Sequence, residues 1–247
     1  MSDVTMIMPM AGLGSRFAKR GETLPKPLID LFGKPFFEWA TLGILEALPN
    51  ARLVYVVLQK HVLCFGIDRR IRETFPQAEI LVVPEVTSGA LETALCGVAL
   101  ATTGSPILIN DCDHAFSFSA LPRAIDALRS GAAGFLSHFQ SGNPHFSYAS
   151  YDAHEHLIET AEKRVISDRA IAGIYGFRDS KTLCETADLY AAKCPYPELY
   201  VSGIYNQIVA QSGLVLGFDL DVHLPFGTPE EAARIEQGVV LLERLRK

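Results

Sequence analysis

Hydrophobic positions along this chain fall into short unbroken runs and longer helical stripes, and the switches between them outline its elements. Residues 4–10 form an apolar run of the kind buried on both faces of a sheet, and similar runs recur at 53–58, 79–83 and 106–110. Pro35 suits the first turn of a helix, and Phe36, Trp39, Ala40, Leu42, Gly43 and Leu45 give that helix a largely buried surface. Residues 68–75 read as a short polar helix stopped by Pro76, and 90–101 as a helix rich in small residues. Residues 119–130 read as a helix and 132–138 as a strand. The pattern then changes. Residues 146–151 and 156–161 flank the polar turn Asp152-Ala153-His154-Glu155 as a hairpin. A strand at 171–177, helices at 180–192 and 200–212, and a closing strand at 214–218 follow. Thr228-Pro229-Glu230-Glu231 carries a capping box for the last helix, whose C-terminal end is suited by Arg244, Arg246 and Lys247. Strands alternating with helices predict βαβ units in an α/β domain with a mixed, mainly parallel sheet.

Composition narrows the class. The 247 residues are 49% hydrophobic and 20% charged, so a folded core is expected, and without a linker or repeat the chain reads as one domain over 1–247. A net charge of −6 argues against a general nucleic-acid or anionic-membrane binder, so an anionic substrate needs a local basic pocket. Cys64, Cys96, Cys112, Cys184 and Cys194 are odd in number and form no C-x-x-C pair, which favours reduced thiols over a disulfide framework or zinc site. There is no apolar run of membrane-spanning length and no signal-peptide pattern, so a cytoplasmic location is expected.

The first apolar run feeds into Ala11-Gly12-Leu13-Gly14-Ser15-Arg16, with Pro25-Lys26-Pro27-Leu28 behind it. Two glycines one residue apart let backbone N–H groups approach a ligand closely. Ser15 adds a hydroxyl, Arg16 a planar fork for phosphate oxygens, and Lys26 an ammonium in a loop stiffened by prolines. Together they describe a polyphosphate cradle. Phe17 stands where a dinucleotide fingerprint needs its third glycine, Gln59 where it needs an acid, and the Gly-Lys-Ser/Thr of a P-loop is absent.

The combination resembles the signature of the nucleoside-triphosphate sugar-1-phosphate nucleotidyltransferases, roughly A-G-x-G-[ST]-R followed at a distance by P-K-P-L. Further matches run in the family's order. Thr87-Ser88-Gly89 resembles the segment that packs on the base, and the run ending in Asp111-Cys112-Asp113 the strand end with the metal-binding aspartate. Ala161-Glu162-Lys163 resembles an acceptor-facing E-K pair, Ala172-Gly173-Ile174-Tyr175-Gly176-Phe177 an "A-G-I-Y-x-F" strand, and Gly227-Thr228-Pro229-Glu230-Glu231 a C-terminal "G-T-P-E-[DE]".

The resemblance implies a three-layer nucleotide-diphospho-sugar transferase fold of the GT-A, Rossmann-like kind, in a compact form without a C-terminal β-helix. It implies an NTP and a phosphorylated small-molecule acceptor as substrates, with pyrophosphate released. Nucleotide-binding residues would be Ala11, Gly12, Gly14, Ser15, Arg16, Lys26, Thr87, Ser88 and Gly89. Glu162, Lys163 and Gly173 would meet the acceptor, and Arg16, Lys26 and Lys163 would act on phosphates. Mg²⁺ would sit on Asp113, with Asp111 as second choice. The implied acceptor is a sugar-1-phosphate for surface-polysaccharide precursors, the alternative a non-sugar monoester such as phosphocholine with a cytidylyltransferase activity.

One position departs from the pattern. The family places a second metal-binding Asp two residues before the Gly-Thr, where this chain has Pro225, and Asp221, His223 or, less directly, Asp219 could substitute. Two other readings compete. Asp111-Cys112-Asp113 has the D-x-D form of a GT-A glycosyltransferase, although such enzymes do not normally carry the glycine-lysine loop. Pro225 also suits a nucleotide-binding protein that has lost catalysis.

Overall fold

The computed structural model describes residues 4–235 and 239–245. Along the chain run β1 (Thr5–Met10), α1 (Ser15–Ala18), β2 (Asp30–Leu31), β3 (Lys34–Pro35), α2 (Phe36–Ala47), β4 (Arg52–Leu58), α3 (Gln59–Phe65), α4 (Ile67–Thr74), β5 (Glu79–Val83), α5 (Ala90–Gly97) and β6 (Ile107–Asn110). The second half adds β7 (His114–Ser117), α6 (Leu121–Arg129), β8 (Gly134–Gln140), β9 (Tyr148–Tyr151), β10 (Leu157–Ala161), β11 (Arg169–Phe177), α7 (Ser180–Ala191), α8 (Ile204–Ala210), β12 (Val215–Asp219), β13 (Val222–Pro225), α9 (Pro229–Ala233) and α10 (Val239–Leu245).

A nine-stranded sheet follows the order β10-β9-β11-β6-β1-β4-β5, with β8 on β11 and β12 on β8. The pairings fix directions: β1, β4, β5, β6, β8, β9 and β12 run one way, and β10 and β11 oppose them. The mixed, mainly parallel sheet expected from the sequence is therefore present. Period-two alternation splits each central strand between two cores. Met6, Met8 and Met10 of β1 join Leu53, Tyr55 and Val57 of β4 on one face, while Ile7, Val54, Val56 and Leu58 face the other. The small residues of α5 serve this packing, because a Cβ on Gly97 would lie 2.9 Å from Ile7 and Val56. A third cluster, including Phe17, Phe36, Trp39 and Phe226, supports the glycine turn from below.

Several expectations need correction. Pro35 precedes the helix as its N-cap residue and pairs in a two-residue strand, so α2 starts at Phe36. The strand at 214–218 does not close the list: β13 follows and forms an antiparallel ribbon with β7, setting His114 opposite Pro225. Helix α3 follows β4 without an intervening loop. The helix expected over 200–212 is a 3₁₀ turn, Val201–Gly203, followed by α8. Thr228 and Glu231 form the capping box in both directions, at 3.2 and 2.9 Å, yet α9 ends at Ala233. Arg246 and Lys247 lie outside the described residues. No described helix is long and apolar enough to cross a membrane.

Candidate functional site

The carboxyl ends of β1 and β6, side by side in the sheet, open onto one cleft, as α/β sheets favour. Gly14 caps α1 in the left-handed conformation at φ 59°, and a Cβ there would lie 2.9 Å from the Lys26 Cβ. The spacing of glycine turn and Pro-Lys-Pro loop is thus a packing requirement, since the two stand in contact. A Cβ on Gly12 would meet nothing within 4 Å, so that edge is open to a ligand.

Lys26 reaches across and pairs with Asp113, both side chains being about three-quarters buried, at 22% and 23% exposure. Burial alone would pull the Lys26 ammonium down and push the Asp113 carboxyl up; the mutual charge and hydrogen bond outweigh it, so Lys26 is raised and Asp113 lowered. Asp111 has no such partner. Burial and then the neighbouring Asp113 push it up to about 8, while Lys26 and the Tyr175 hydroxyl pull it back. Cys112 between them is buried, and burial followed by the Asp113 charge pushes its thiol up to about 12. It is a packing residue, not a nucleophile.

Two chambers meet at these groups. A cavity of about 680 Å³ is lined by the glycine turn from Ala11 to Arg16, by Lys26, by Thr87, Ser88 and Gly89, and by Glu198 and Tyr200. A lobe of about 150 Å³ is lined by His145, Phe146, Ser147, Gly173, His223 and Thr228, among others. Arg16, Asp111, Asp113 and Gly227 line both. Arg16 is exposed and makes no ion pair among the described residues. The predicted residues of the glycine turn, the Thr87–Gly89 segment, Lys26, both aspartates and Gly173 therefore come together. Exposed Leu13 and Val86 at the mouth of the larger chamber add apolar surface.

Glu162 and Lys163 line neither chamber and are joined to them through Ser147 and Tyr200. The Glu162 carboxylate accepts from the Ser147 hydroxyl and from Ser202 at 3.0 Å, and Ser147 belongs to the lobe. Lys163 is held at φ 53°, a conformation that costs a non-glycine residue of order 1 kcal/mol and marks a constrained position. Its ammonium donates to the Tyr200 hydroxyl at 3.0 Å, which raises its pKa, and feels the nearby Arg16 charge. Tyr200 had no motif to announce it. Asn206, by contrast, clamps both backbone groups of Thr160 at 2.7 and 2.9 Å, a structural task.

Gly89 serves close backbone packing beside the larger chamber. A Cβ there would lie 2.7 Å from the Leu199 backbone, so the glycine lets residue 199 pair with Ser88 and Leu91 at 3.1 Å. Thr87 and Ser88 use their hydroxyls internally, on the Gly89 carbonyl at 3.0 Å and on Glu92.

A Cβ on Gly173 would lie 2.8 Å from Asp111 Oδ2, and one on Gly227 2.6 Å from Asp113 Oδ2, so glycine at both positions lets the two carboxylates pack against the backbone, and Asp113 Oδ2 is the oxygen that Lys26 holds. No group of three or more His, Cys, Asp or Glu suited to a metal occurs among the described residues, so Asp111 and Asp113 are the carboxylates of the cleft that would hold a hard cation, with its remaining positions left to other oxygens. Of the substitutes for the residue at 225, the structure brings only His223 to the lobe. It shares a 3.2 Å hydrogen bond with His114, and burial and then the His114 charge drive its pKa well down. Asp221 is turned away, accepting from the Ser119 amide at 2.6 Å and hydroxyl at 2.8 Å. Asp219 ends β12 as an exposed residue opposite His138. Neither Asp219 nor Asp221 lines either chamber.

A nucleoside-diphosphate-sugar pyrophosphorylase from Vibrio cholerae RC9 superposes with a TM-score of 0.82 at 23% identity, covering 94% of this chain and all of its own. This is the fold of the nucleotidyltransferases. The inositol-1-phosphate CTP transferase from T. maritima shares the nucleotidyltransferase fold with a TM-score of 0.76 at 11% identity, over 99% of this chain and 96% of its own. A putative glucose-1-phosphate thymidylyltransferase from Bacillus anthracis follows at 0.71 and 17%, over 98% and 93%. No protein-family model matches the chain, and no curated protein matches it in sequence.

Proposed function

We propose that residues 1–247 form one cytoplasmic nucleotidyltransferase domain that joins an NTP to a phosphate monoester and releases pyrophosphate. The observation that carries this reading is the pair of chambers meeting at Arg16, Asp111, Asp113 and Gly227. One chamber has the glycine turn and Lys26 of a triphosphate site, and the other is a separate lobe for a second substrate. A single-substrate hydrolase has no need of that division.

The reaction asks for alignment and charge neutralisation more than for covalent help. An oxygen of the acceptor phosphate attacks the α-phosphorus, the bond from that phosphorus to the bridging oxygen breaks, and the pair of electrons leaves with pyrophosphate. The acceptor oxygen is already ionised, so no strong base is required. Arg16, free of carboxylates and facing both chambers, is suited to the phosphates on either side of the transferring bond. The backbone of Gly12 and Gly14 and the hydroxyl of Ser15 line the triphosphate chamber with Lys26. Lys163, bonded to Tyr200 and close enough to feel the Arg16 charge, would hold the acceptor phosphate, and Glu162, fixed by two serines, would accept from an acceptor hydroxyl. Asp111 and Asp113 would hold Mg²⁺, which supplies charge neutralisation on the phosphate oxygens when bound.

The lobe favours a hydroxyl-bearing acceptor, such as a sugar-1-phosphate, over phosphocholine. Ser147, Thr228 and His145 offer hydroxyl and imidazole groups, and its phenyl and phenol rings are only Phe146 and Tyr175, short of the aromatic cage a quaternary ammonium prefers. The neighbours named for sugar and inositol phosphates agree with that preference. Synthesis of surface-polysaccharide precursors is the setting that such a product suits. A pyrophosphate-release screen of the common NTPs against sugar-1-phosphates, polyol phosphates and phosphocholine tests the reading. Turnover with one hydroxylated monoester is expected. Silence across all pairs with Mg²⁺ and Mn²⁺, or nucleoside diphosphate release from a sugar nucleotide, would overturn it.

A further inference from the structure

The loop between α7 and the 3₁₀ turn, residues 192–200, lines the larger chamber with Pro197, Glu198 and Tyr200, and its two tyrosines bond Glu162 and Lys163. On one side Leu199 pairs with Ser88 and Leu91 at 3.1 Å, an approach that only a glycine at 89 allows. On the other, the Glu162 amide donates to the Tyr196 hydroxyl at 3.2 Å and the Lys163 ammonium to the Tyr200 hydroxyl at 3.0 Å. The two rings meet edge to face at 5.8 Å, so neither hydroxyl can drift independently. Lys163 Nζ also lies 5.0 Å from the centre of the Tyr200 ring. Tyr200 itself lines the larger chamber.

We infer that Tyr200 is a positioning residue for Lys163, holding its ammonium against the wall of the larger chamber, and that the loop anchored on Ser88-Gly89 sets where that hydroxyl stands. The inference rests on the proposed function for Lys163's role toward the acceptor, but the arrangement itself can be tested without turnover. A lysine side chain has four rotatable bonds and samples many positions when unpartnered. A phenol oxygen fixed by a docked loop removes much of that freedom before substrate arrives. The same contact ties the wall of the nucleotide chamber to the lysine of the other substrate.

Pulsed acetylation of the folded protein with acetic anhydride, read residue by residue by mass spectrometry, tests it directly. Tyr200→Phe keeps the ring but loses the hydroxyl, so Lys163 should be acetylated at least threefold faster while Lys19 and Lys60 keep their rates. Gly89→Ala, which displaces Leu199, should produce the same change, and Tyr196→Phe, which keeps the ring against Tyr200 and loses only the bond from the Glu162 amide, should not. With the NTP and monoester that turn over best in the screen, Tyr200→Phe should raise the acceptor KM about tenfold. Unchanged Lys163 labelling in a folded Tyr200→Phe overturns the inference whatever the screen finds. Silence in the screen with faster Lys163 labelling instead removes the proposed reaction and leaves the positioning contact standing.

Discussion

The Lys26 ammonium lies against the Asp113 carboxylate, so the lysine expected on the triphosphate and the aspartate expected on the metal are bound to each other in this structure. The pair keeps both groups charged in a mostly buried place and connects the loop after α1 to the residues that follow β6. Substrate phosphates and a divalent cation can take over the two partners together, one anionic and one cationic charge exchanged for another. Lys26→Ala should therefore act twice. It should reduce kcat/KM by roughly 100-fold or more, as removal of a preorganised charge stabiliser does. It should also lower stability by less than the about 3–5 kcal/mol of a fully buried pair, because solvent reaches both groups. Steady-state kinetics and thermal unfolding check the two effects, and turnover within a few-fold of the parent would contradict the assignment.

Gly12 and Gly14 should separate stability from binding. Alanine at 14 must adopt φ 59° and meets the Lys26 Cβ at 2.9 Å, so a loss of about 1–2 kcal/mol from the left-handed backbone is expected, plus the cost of moving the loop. Alanine at 12 meets no protein atom and should change stability by less than about 0.5 kcal/mol. It nevertheless places a methyl group where the triphosphate is expected, so the NTP KM should rise at least tenfold. Denaturant titration and NTP kinetics on both variants check the contrast. A harmless Gly12→Ala would remove the glycine turn from the nucleotide site.

Legibility in the sequence followed locality. The glycine turn, the capping box at Thr228 and the central strands are written within a few residues, and they appear where expected. The β7–β13 ribbon was invisible because its register, His114 to Pro225, joins segments more than a hundred residues apart, each four residues long. Helix α3 was missed because Leu58 passes directly into Gln59 with no turn residue to announce it. At the site, Lys26 and Asp113 were each identifiable, whereas their contact was not. Tyr200 gave no signal beyond a proline-rich flank, because its importance comes from where Leu199 docks on Gly89.

Asp111 gives the protein a pH signature. Its carboxyl is raised from an ordinary value near 3.8 to about 8 by burial and by Asp113. Between those values the folded chain keeps a proton that the unfolded chain has lost, so folding takes up a proton and stability from this group falls as pH rises through that window. Below it both states are protonated, and above it both are ionised. Asp111→Asn should flatten the decline, which thermal unfolding from pH 4 to pH 8 in chelator would reveal. A divalent cation must displace the same proton, so apparent Mg²⁺ affinity in the parent should increase toward pH 8. An identical slope in parent and Asp111→Asn would exclude the carboxyl as its source.

With proline at 225, a cation in the cleft would be held by the two aspartates after β6, and variants around it separate structural from metal-binding carboxylates. Asp221 spends both oxygens on Ser119, tying β13 to the start of α6. Asp221→Ala should cost about 1 kcal/mol of stability through the lost hydrogen bonds, with the Mg²⁺ dependence of turnover unchanged. Asp113→Ala should remove divalent-dependent turnover and also release Lys26 from its partner. Pro225→Asp would add a carboxylate to the lobe beside Asp111 and Asp113 and should tighten Mn²⁺ binding severalfold, at the cost of stronger repulsion in its absence. Mn²⁺ titration by electron paramagnetic resonance on the three variants distinguishes them. If Asp221→Ala lost the cation while Asp113→Ala kept it, the site would have to be rebuilt around β13.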